Sequence, residues 1–485
     1  MDSSRNRWLL LGAAATLASA ACFWFGTGLD PRWSLTWLAP LPILLLATHV
    51  RASAAALSAF LAATLATGNQ WHYALDLIRL PLPLLIGLSG ATGIVFALSV
   101  LLFRRLALRG RLVAAMLSVP LLWTAIGFAN AAASPHGTWG DLAYTQMDAP
   151  LIIQIAALTG LWGIGFLVML APACLAALSV RDAPAHARLH AALTGSVLLV
   201  LAFGYDAWRL ADDHATQTVK IGLVSLQHEK PELLSDPAGE ALVARYVAAL
   251  DKLADAGAQY AVLPEVTLRV SEPDVPALRE FAQRRAMTVV VGVDLKTGDA
   301  PERNASLAFA PLGGSATVYT KQHMVPVLED RFTPGSGTTL LADSKVGLTI
   351  CKDNDFPVLG RAYGARNTQL LLVPAWDFML DDWLHSRMAI LRGVESGFAI
   401  ARSARSGRLT LSDDRGRVLA EASSVEGDAQ LIGELPLRDT RTVYARFGDW
   451  FAWLCVAGLV PVILRAIPRV VGSGSDNRAT LPASL

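Results

Sequence analysis

Residues 82–103 read LPLLIGLSGATGIVFALSVLLF, an apolar run that contains no charged side chain. A helix of about 20 apolar residues is long enough to cross the hydrocarbon core of a bilayer. Further apolar runs bounded by charges, turns or prolines lie on both sides of this one, and the chain of 485 residues is 53% hydrophobic and 17% charged. Such a composition is too apolar for an ordinary soluble protein and indicates an integral membrane protein.

Eight apolar runs are predicted to cross the membrane, seven of them before residue 212 and one near the C-terminus. The first run is followed at once by further spans, so we interpret it as a retained helix rather than a cleaved signal peptide. The third, seventh and eighth runs are the short ones. The predicted spans cover residues 8–26, 33–49, 52–67, 82–103, 112–130, 151–180, 191–205 and 450–464.

Arginine is distributed unevenly among the segments that connect these runs. One set of alternate connecting segments is rich in arginine, whereas the other short segments contain only Arg32 and Arg79. Under the positive-inside rule the arginine-rich segments stay in the cytoplasm. Seven spans that start from a cytoplasmic N-terminus therefore place the residues after about 210 on the outer side of the membrane. The arginine-rich set comprises Arg5, Arg7, Arg51, Arg104, Arg105, Arg109, Arg111, Arg181, Arg188, Arg465, Arg469 and Arg478.

Between residues 218 and 437 the pattern changes to short β-branched runs that alternate with amphipathic helices, which predicts an α/β domain. The expected organisation is a membrane region at 1–212 with about seven helices, an exported domain at 213–446, a last membrane helix at 447–470 and a disordered tail at 471–485. A net charge of +1, with no local basic block, argues against a nucleic-acid partner. The predicted strands are 219–225, 259–263, 288–293, 306–310, 316–319, 346–350, 369–373, 398–403, 408–412 and 429–434, and the predicted helices are 239–255, 276–285 and 382–396.

Three predicted strands of this domain end in residues that can carry chemistry. Glu265 ends the segment LPE, Lys321 lies in the segment 319–326, and Cys351 follows the segment LTI. Because α/β folds place their chemistry at strand ends, a carboxylate, an amine and a thiol could meet in one pocket. Taken singly, each has an ordinary alternative: a surface or capping acid, a solvated lysine and a buried core cysteine. Cys351 is the only cysteine of the exported domain, so it has no disulfide partner there and is either inert or reactive.

In this order along the chain, Glu265, Lys321 and Cys351 resemble the catalytic set of the nitrilase, or carbon–nitrogen hydrolase, superfamily. Such a domain placed between seven membrane helices and an eighth is similar to the apolipoprotein N-acyltransferase family. The segments 140–146 (GDLAYTQ) and 158–167 (LTGLWGIGFL) resemble that family's loop and sixth span. The resemblance implies a transmembrane bundle of about eight helices joined to an α-β-β-α sandwich, in a bacterial inner membrane with the catalytic domain on the periplasmic side.

The resemblance also implies a role for each site residue. Cys351 would be the nucleophile, Glu265 its general base, and Lys321 with the backbone N–H of Lys352 the donors to the oxyanion. Glu329 matches the second glutamate, which supports the site. The implied reaction moves an acyl chain from a phospholipid to Cys351 and then to the α-amino group of a diacylglyceryl-modified lipoprotein cysteine. It needs no cofactor, and the exported domain shows no metal-ligand spacing. A monomer is expected, because membrane helices at both ends restrict packing between domains.

One departure from the family pattern leaves the substrate open. Lys352 stands where the family usually has an aromatic residue, and its side chain either faces solvent or favours the thiolate from within the pocket. The segment 373–378 (VPAWDF) also matches the family only loosely. A paralogue with another substrate and a membrane-tethered amidase that uses water therefore stay as alternatives. His323 is expected to form hydrogen bonds rather than to act as a second base.

Overall fold

The computed structural model describes residues 2–467, in which a helical bundle and an α/β domain can be distinguished. The predicted tail at 471–485, together with Arg469 and Arg478, lies outside the described residues. The bundle contains α1 (Asp2–Gly26), α2 (Trp33–Leu38), α3 (Leu41–Ala47), α4 (Ala52–Ala66), α5 (Leu82–Ala107), α6 (Leu112–Ala133), α7 (Pro150–Ile153), α8 (Ala156–Thr159), α9 (Leu161–Leu178), α10 (Ala185–Ala211) and α16 (Trp450–Ala466).

Six of the described helices are long and apolar enough to cross a membrane, namely α1, α4 with its continuation to Gln70, α5, α6, α9 and α10. Large apolar side chains on their outer faces are exposed, as shown by Leu10 at 71%, Val200 at 68% and Leu201 at 66%. A helix bundle with leucine and valine on its outside is suited to lipid rather than to water. The protein is therefore a membrane protein.

Two of the eight predicted spans, 33–49 and 450–464, form apolar helices that are shorter than the six named above. The run at 33–49 is divided into α2 and α3 at Ala39 and Pro40, because proline has no N–H to continue a helical ladder. The C-terminal helix α16 has 17 residues. The run at 151–180 is also divided, at Gly160, whose φ of +67° ends α8 before α9 begins.

Small residues let the membrane helices approach closely. The buried face of α4 consists of alanine, and a Cβ added to Gly93 of α5 would lie 2.2 Å from Thr64 Oγ1 of α4. Close backbone contact of this kind replaces the hydrophobic effect as the source of helix association in lipid. The central helix is α9, in which 83% of the residues are buried.

The α/β domain contains two β-sheets that pack face to face. One sheet has the order β14-β1-β3-β5-β4-β2, with β6 and β7 added beside β5, and the other has the order β13-β12-β11-β10-β9-β8. The strands are β1 (Gln217–Ser225), β2 (Glu232–Leu233), β3 (Tyr260–Val262), β4 (Leu268–Val270), β5 (Thr288–Leu295), β6 (Arg303–Phe309), β7 (Thr317–Thr320), β8 (Thr339–Leu340), β9 (Val346–Leu348), β10 (Leu370–Trp376), β11 (Ala399–Arg405), β12 (Arg408–Ser412), β13 (Val418–Ser423) and β14 (Ala429–Leu437).

Successive side chains of a strand point to opposite faces of its sheet, so each strand contributes to two layers of the domain. In β5, Val289 and Val291 face the outer helices, whereas Val290 faces the core between the two sheets. The helices of this domain are α11 (Pro237–Asp255), α12 (Pro276–Arg285), α13 (Pro357–Ala365), α14 (Asp382–Ser396) and α15 (Val443–Phe447). Because α11 and α12 cover one sheet while α13 and α14 cover the other, the predicted α-β-β-α sandwich is confirmed.

Helix α14 joins the two parts of the protein. Ala389 packs on the second sheet, whereas Met388 and Leu391 belong to the same apolar cluster as the membrane helices. All but two of its fifteen residues are buried. A helix buried on every side is expected where it lies between two packed bodies. The α/β domain is therefore seated directly on the membrane bundle.

Candidate active site

Glu265 is held by contacts that cross the sandwich. It follows β3 through Leu263 and Pro264, and its backbone N–H donates a 3.2 Å hydrogen bond to the Ala375 carbonyl of β10 in the opposite sheet. The neighbouring strand approaches so closely that a Cβ on Gly292 would lie 2.4 Å from the Glu265 Cα. Only glycine fits at that position. The Glu265 residue is 2% exposed.

Lys321 lies between two carboxylates. Its Nζ is 2.7 Å from Glu265 Oε1 and 2.8 Å from both oxygens of Glu329. Asn304 of β6 donates from Nδ2 to the same two acids, over 2.7 Å to Glu265 and 2.9 Å to Glu329. Lys321 follows β7, and its backbone N–H is held by the Asn304 carbonyl at 2.9 Å. A buried charge needs such partners, and here two carboxylates, which Asn304 bridges, fix the ammonium in place.

Cys351 begins the turn that follows β9, and its backbone is strained. Its φ is +40°, and the residues Val266 and Val327, in the loops of Glu265 and Lys321, have φ values of +47° and +70°. Non-glycine residues rarely adopt this left-handed region, and such strain clusters at functional sites. The thiol is half-buried, with Sγ 3.6 Å from the Trp376 carbonyl oxygen at the end of β10.

Burial and charge set the protonation of the three groups. Burial raises the pKa of the Cys351 thiol well above its usual range, and the Glu265 carboxylate adds to this shift. Burial and Glu329 also raise the pKa of Glu265, although Lys321 opposes them. Burial alone would lower the pKa of Lys321, but Glu265 and Glu329 outweigh it and raise that pKa well above its usual value. The resting site therefore has a neutral thiol beside a carboxylate of increased basicity and a permanent ammonium.

Asp353 anchors the loop that carries Lys321. Its carboxylate accepts hydrogen bonds from the Tyr319 hydroxyl at 2.6 Å and from the backbone N–H groups of Gln322 at 3.0 Å and His323 at 2.9 Å. The His323 ring also contacts Asp353 at 3.0 Å and stacks on Phe356 with ring centroids 3.7 Å apart. The turn that begins at Cys351 and the loop of Lys321 are thus tied together. His323 has the hydrogen-bonding surroundings that the sequence predicted for it.

Lys352 is buried against a loop that comes from the membrane bundle. It is 4% exposed, and its Nζ lies 3.2 Å from Nδ1 of His136, in the loop that follows α6. In the same loop, Thr138 donates from its backbone N–H at 3.1 Å and from Oγ1 at 2.8 Å to the Asp355 carbonyl. The Lys352 side chain therefore does not face solvent, and the turn that holds Cys351 rests directly on the membrane part of the chain.

A second set of ion pairs lies near Cys351. Arg402 of β11 binds Asp377 through two hydrogen bonds, one of them 2.9 Å long. Asp381 accepts a 2.5 Å hydrogen bond from the Tyr73 hydroxyl and a 3.0 Å hydrogen bond from the Phe378 backbone N–H, and His385 Nδ1 lies 3.0 Å from its carboxylate. Tyr73 belongs to the segment between α4 and α5, so this contact also joins the bundle to the α/β domain.

The structure brings together all five residues that the sequence singled out, since Glu265, Lys321 and Glu329 are in direct contact and Cys351 and Lys352 begin the adjoining turn. Sequence reasoning missed Asn304 and Tyr73. The signal for Asn304 is an amide side chain next to the apolar part of strand β6, where it lies at 0% exposure. For Tyr73 no local signal exists, because its partner is 308 residues away.

A membrane helix bundle that carries an α-β-β-α domain with a buried glutamate, a buried lysine and a half-buried cysteine defines a membrane-embedded enzyme of the carbon–nitrogen hydrolase class. Residues 222–445 match the family model described as carbon-nitrogen hydrolase, and residues 11–174 match the model of the apolipoprotein N-acyltransferase N-terminal domain. The chain belongs to the apolipoprotein N-acyltransferase family.

Curated relatives agree with this placement. The apolipoprotein N-acyltransferase of Geobacter metallireducens is 27% identical over 395 residues, which cover 73% of this chain and 74% of the relative. Apolipoprotein N-acyltransferase 2 of Treponema pallidum is 24% identical over 408 residues, covering 69% of this chain and 73% of the relative. Among solved structures, an amidase from Nesterenkonia sp. is 22% identical, covers 49% of this chain and 95% of its own, and has a TM-score of 0.40.

Proposed function

We propose that this protein transfers an acyl chain from a phospholipid, through a thioester on Cys351, to the α-amino group of the diacylglyceryl-modified cysteine at the N-terminus of lipoproteins. The observation that carries the proposal is the position of the site. A thiol beside a buried carboxylate and ammonium lies on a turn that rests on a loop of the membrane bundle. Both substrates keep their acyl chains in the bilayer, so the reacting groups meet the enzyme at its surface.

In the first half-reaction Glu265 takes the proton of Cys351, and the thiolate attacks the ester carbonyl of the phospholipid. A carbon–sulfur bond forms, and the carbonyl oxygen becomes an oxyanion that receives hydrogen bonds from Lys321 and the backbone N–H of Lys352. Preorganised donors of this kind are worth about 3 kcal/mol each. The intermediate then releases the lysophospholipid, whose oxygen takes the proton held by Glu265.

In the second half-reaction the neutral amine of the lipoprotein attacks the thioester carbonyl. The same donors stabilise the second oxyanion, and Glu265 accepts the proton that the amine loses. The carbon–sulfur bond breaks, the thiolate recovers a proton, and the product is an amide. Glu329 and Asn304 act as positioning residues, because they hold Lys321 and Glu265 in the required geometry.

The cellular setting belongs to the same proposal. We place the protein in a bacterial inner membrane, with the catalytic domain at residues 213–446 on the periplasmic side and the protein acting as a monomer. The arginine asymmetry of the connecting segments supports this orientation.

Mass spectrometry of the full chain in detergent tests the proposed function. Incubation with phosphatidylglycerol should add the mass of one acyl chain to Cys351, and a diacylglyceryl lipopeptide with a free N-terminus should then remove it as an amide. Cys351→Ala is the control and should gain no mass. If no adduct forms while a small amide releases ammonia, the protein is an amidase instead.

A further inference from the structure

Lys352 is a buried cation whose polar partner is a histidine rather than a carboxylate. Within residues 2–467 no carboxylate lies at ion-pair distance from its Nζ, and its polar contact is His136 Nδ1 at 3.2 Å. Lys321, by contrast, is enclosed by two carboxylates. The Asp355 carboxylate acts on the Lys352 ammonium only from beyond that distance. Because a buried ammonium without a directly paired carboxylate is costly, the Lys352 site is suited to an anion that arrives with a ligand.

The contact with His136 also fixes what the pair offers. A lysine ammonium can only donate, so Nδ1 of His136 accepts and the ring proton lies on Nε2. Partial enclosure of the ring and the nearby Lys352 lower the pKa of His136, which favours the neutral imidazole although the residue keeps an exposed face. His136 is exposed. The pair therefore presents the free N–H groups of an ammonium together with an Nε2–H donor.

We propose that Lys352 and His136 form a binding site for the phosphodiester of the phospholipid acyl donor. Lysine is a common ligand of phosphate, as a mobile point charge. In a phospholipid the phosphate is attached to the same glycerol as the ester that Cys351 attacks, and Lys352 is the next residue after Cys351. His136 comes from the loop directly after the membrane helix α6.

The inference rests on the proposed function and deepens it, since it assigns the site to one half-reaction. The diacylglyceryl acceptor has an amine and no phosphate, so the pair acts while the thioester forms and not while it is consumed. The Lys352 side chain thereby serves as a specificity residue for the donor, at the position where the family pattern has an aromatic residue.

The test compares donors that differ in phosphate. Thioester formation on Cys351 is followed by mass spectrometry in the full chain, with phosphatidylglycerol, with diacylglycerol of the same acyl chains and with a nitrophenyl ester. Lys352→Met should lower the ratio of the phosphatidylglycerol rate to the nitrophenyl ester rate by roughly ten- to a hundredfold, and Lys352→Arg should restore most of it. His136→Ala should shift the ratio in the same direction. Because His136 is exposed, this variant should fold and can be used if Lys352→Met does not fold.

Each other outcome overturns the proposal. An equal loss with all donors would mean that Lys352 acts on the thiol, and an unchanged ratio would mean that the phosphate is not bound here. Equal use of phosphatidylglycerol and diacylglycerol, with inhibition by inorganic phosphate, would assign the site to free phosphate instead. Failure of the proposed function itself looks different, because the nitrophenyl ester would then acylate Cys351 while no lipid did so in the unaltered protein.

Discussion

The Nζ atom of Lys321 lies 2.7 Å from Oε1 of Glu265 in the interior of the α/β domain. A second carboxylate, that of Glu329, lies 2.8 Å away from the same ammonium. The two acids are not equivalent, because Glu265 is the carboxylate that most raises the pKa of the Cys351 thiol. The charge of Glu265 thus acts on the Cys351 thiol, whereas Glu329 mainly holds the lysine.

This difference predicts distinct pH profiles for two matched variants. Glu265→Gln should slow formation of the Cys351 thioester at pH 7 by roughly a hundredfold or more, because the base is lost. The rate should recover as the pH rises, since hydroxide can then remove the thiol proton without help. Burial raises the thiol pKa well above its usual range, so the recovery should continue beyond pH 8.5 rather than end there.

Glu329→Gln should also lose turnover, because Lys321 is then displaced. A higher pH does not return Lys321 to its place, so the rate should not recover. Single-turnover acyl-enzyme formation, measured by mass spectrometry from about pH 6.5 to 9.5, compares the two variants. Matching pH profiles, or full thioester formation by Glu265→Gln at pH 7, would remove Glu265 from the role of general base.

The nucleophile itself is tested by Cys351→Ser, which changes the side-chain volume very little. The hydroxyl is a far weaker acid than the thiol, so the variant should either trap the acyl group as a stable ester or fail to form it. Its thermal unfolding midpoint should stay close to that of the unaltered protein. Activity that survives demonstrated alkylation of Cys351 by iodoacetamide would contradict a thiol mechanism.

The architecture of the α/β domain could be predicted because its signals are local. Helix α12 begins at Pro276 as predicted, because proline suits the first turn of a helix. Helix α14 ends just before Gly397, which adopts the left-handed conformation of a helix C-cap. All ten predicted strands are present. The strands β2, β4, β8 and β13 were not predicted, since the first three have two or three residues and β13 has an exposed side.

The candidate site could be predicted only in part. The order of Glu265, Lys321 and Cys351 is visible in the sequence, and each of the three follows a predicted strand. The partners of these residues depend on the tertiary structure. Asn304 bridges two acids because β6 lies beside β7, and His136 reaches Lys352 across 216 residues. No spacing rule connects positions so far apart.

The contact between Asp381 and His385 predicts a pH-dependent stability. Burial opposes the charge on His385, but Asp381 outweighs it and raises the histidine pKa to about 9, against about 6.5 in the unfolded chain. Since the folded pKa is the higher one, the stabilisation is fully present below about pH 6.5 and is lost as the pH rises through 9. Its upper limit is of the order of 3 kcal/mol.

Asp381→Asn should therefore flatten the decline in thermal unfolding midpoint between pH 6.5 and 9.5. Asp382→Asn is the matched control, because the neighbouring Asp382 pairs with Arg408 at 2.9 Å and not with the histidine. An Asp381→Asn protein with the unaltered pH dependence would assign the shift to other acids near His385.

The last prediction concerns the orientation of the bundle, for which the structure adds an argument to the arginine count. Arg104 donates to the Val50 carbonyl at 2.9 Å, and Arg109 donates to the Ala466 carbonyl at 2.6 Å, so three arginine-rich segments lie at one end of the bundle. The opposite end carries the loops of Tyr73 and His136, which contact the α/β domain. Under the positive-inside rule the first end is cytoplasmic and the second is periplasmic.

A reporter that is active only in the periplasm should consequently work when fused after Gln217 and fail when fused after Arg111. A reporter that is active only in the cytoplasm provides the control and should show the opposite pattern at the same two positions. Both fusions leave the preceding helices intact, so loss of signal cannot be ascribed to missing spans. Periplasmic activity after Arg111 together with none after Gln217 would place the site of Cys351 in the cytoplasm, where neither exported lipoproteins nor the outer leaflet would reach it.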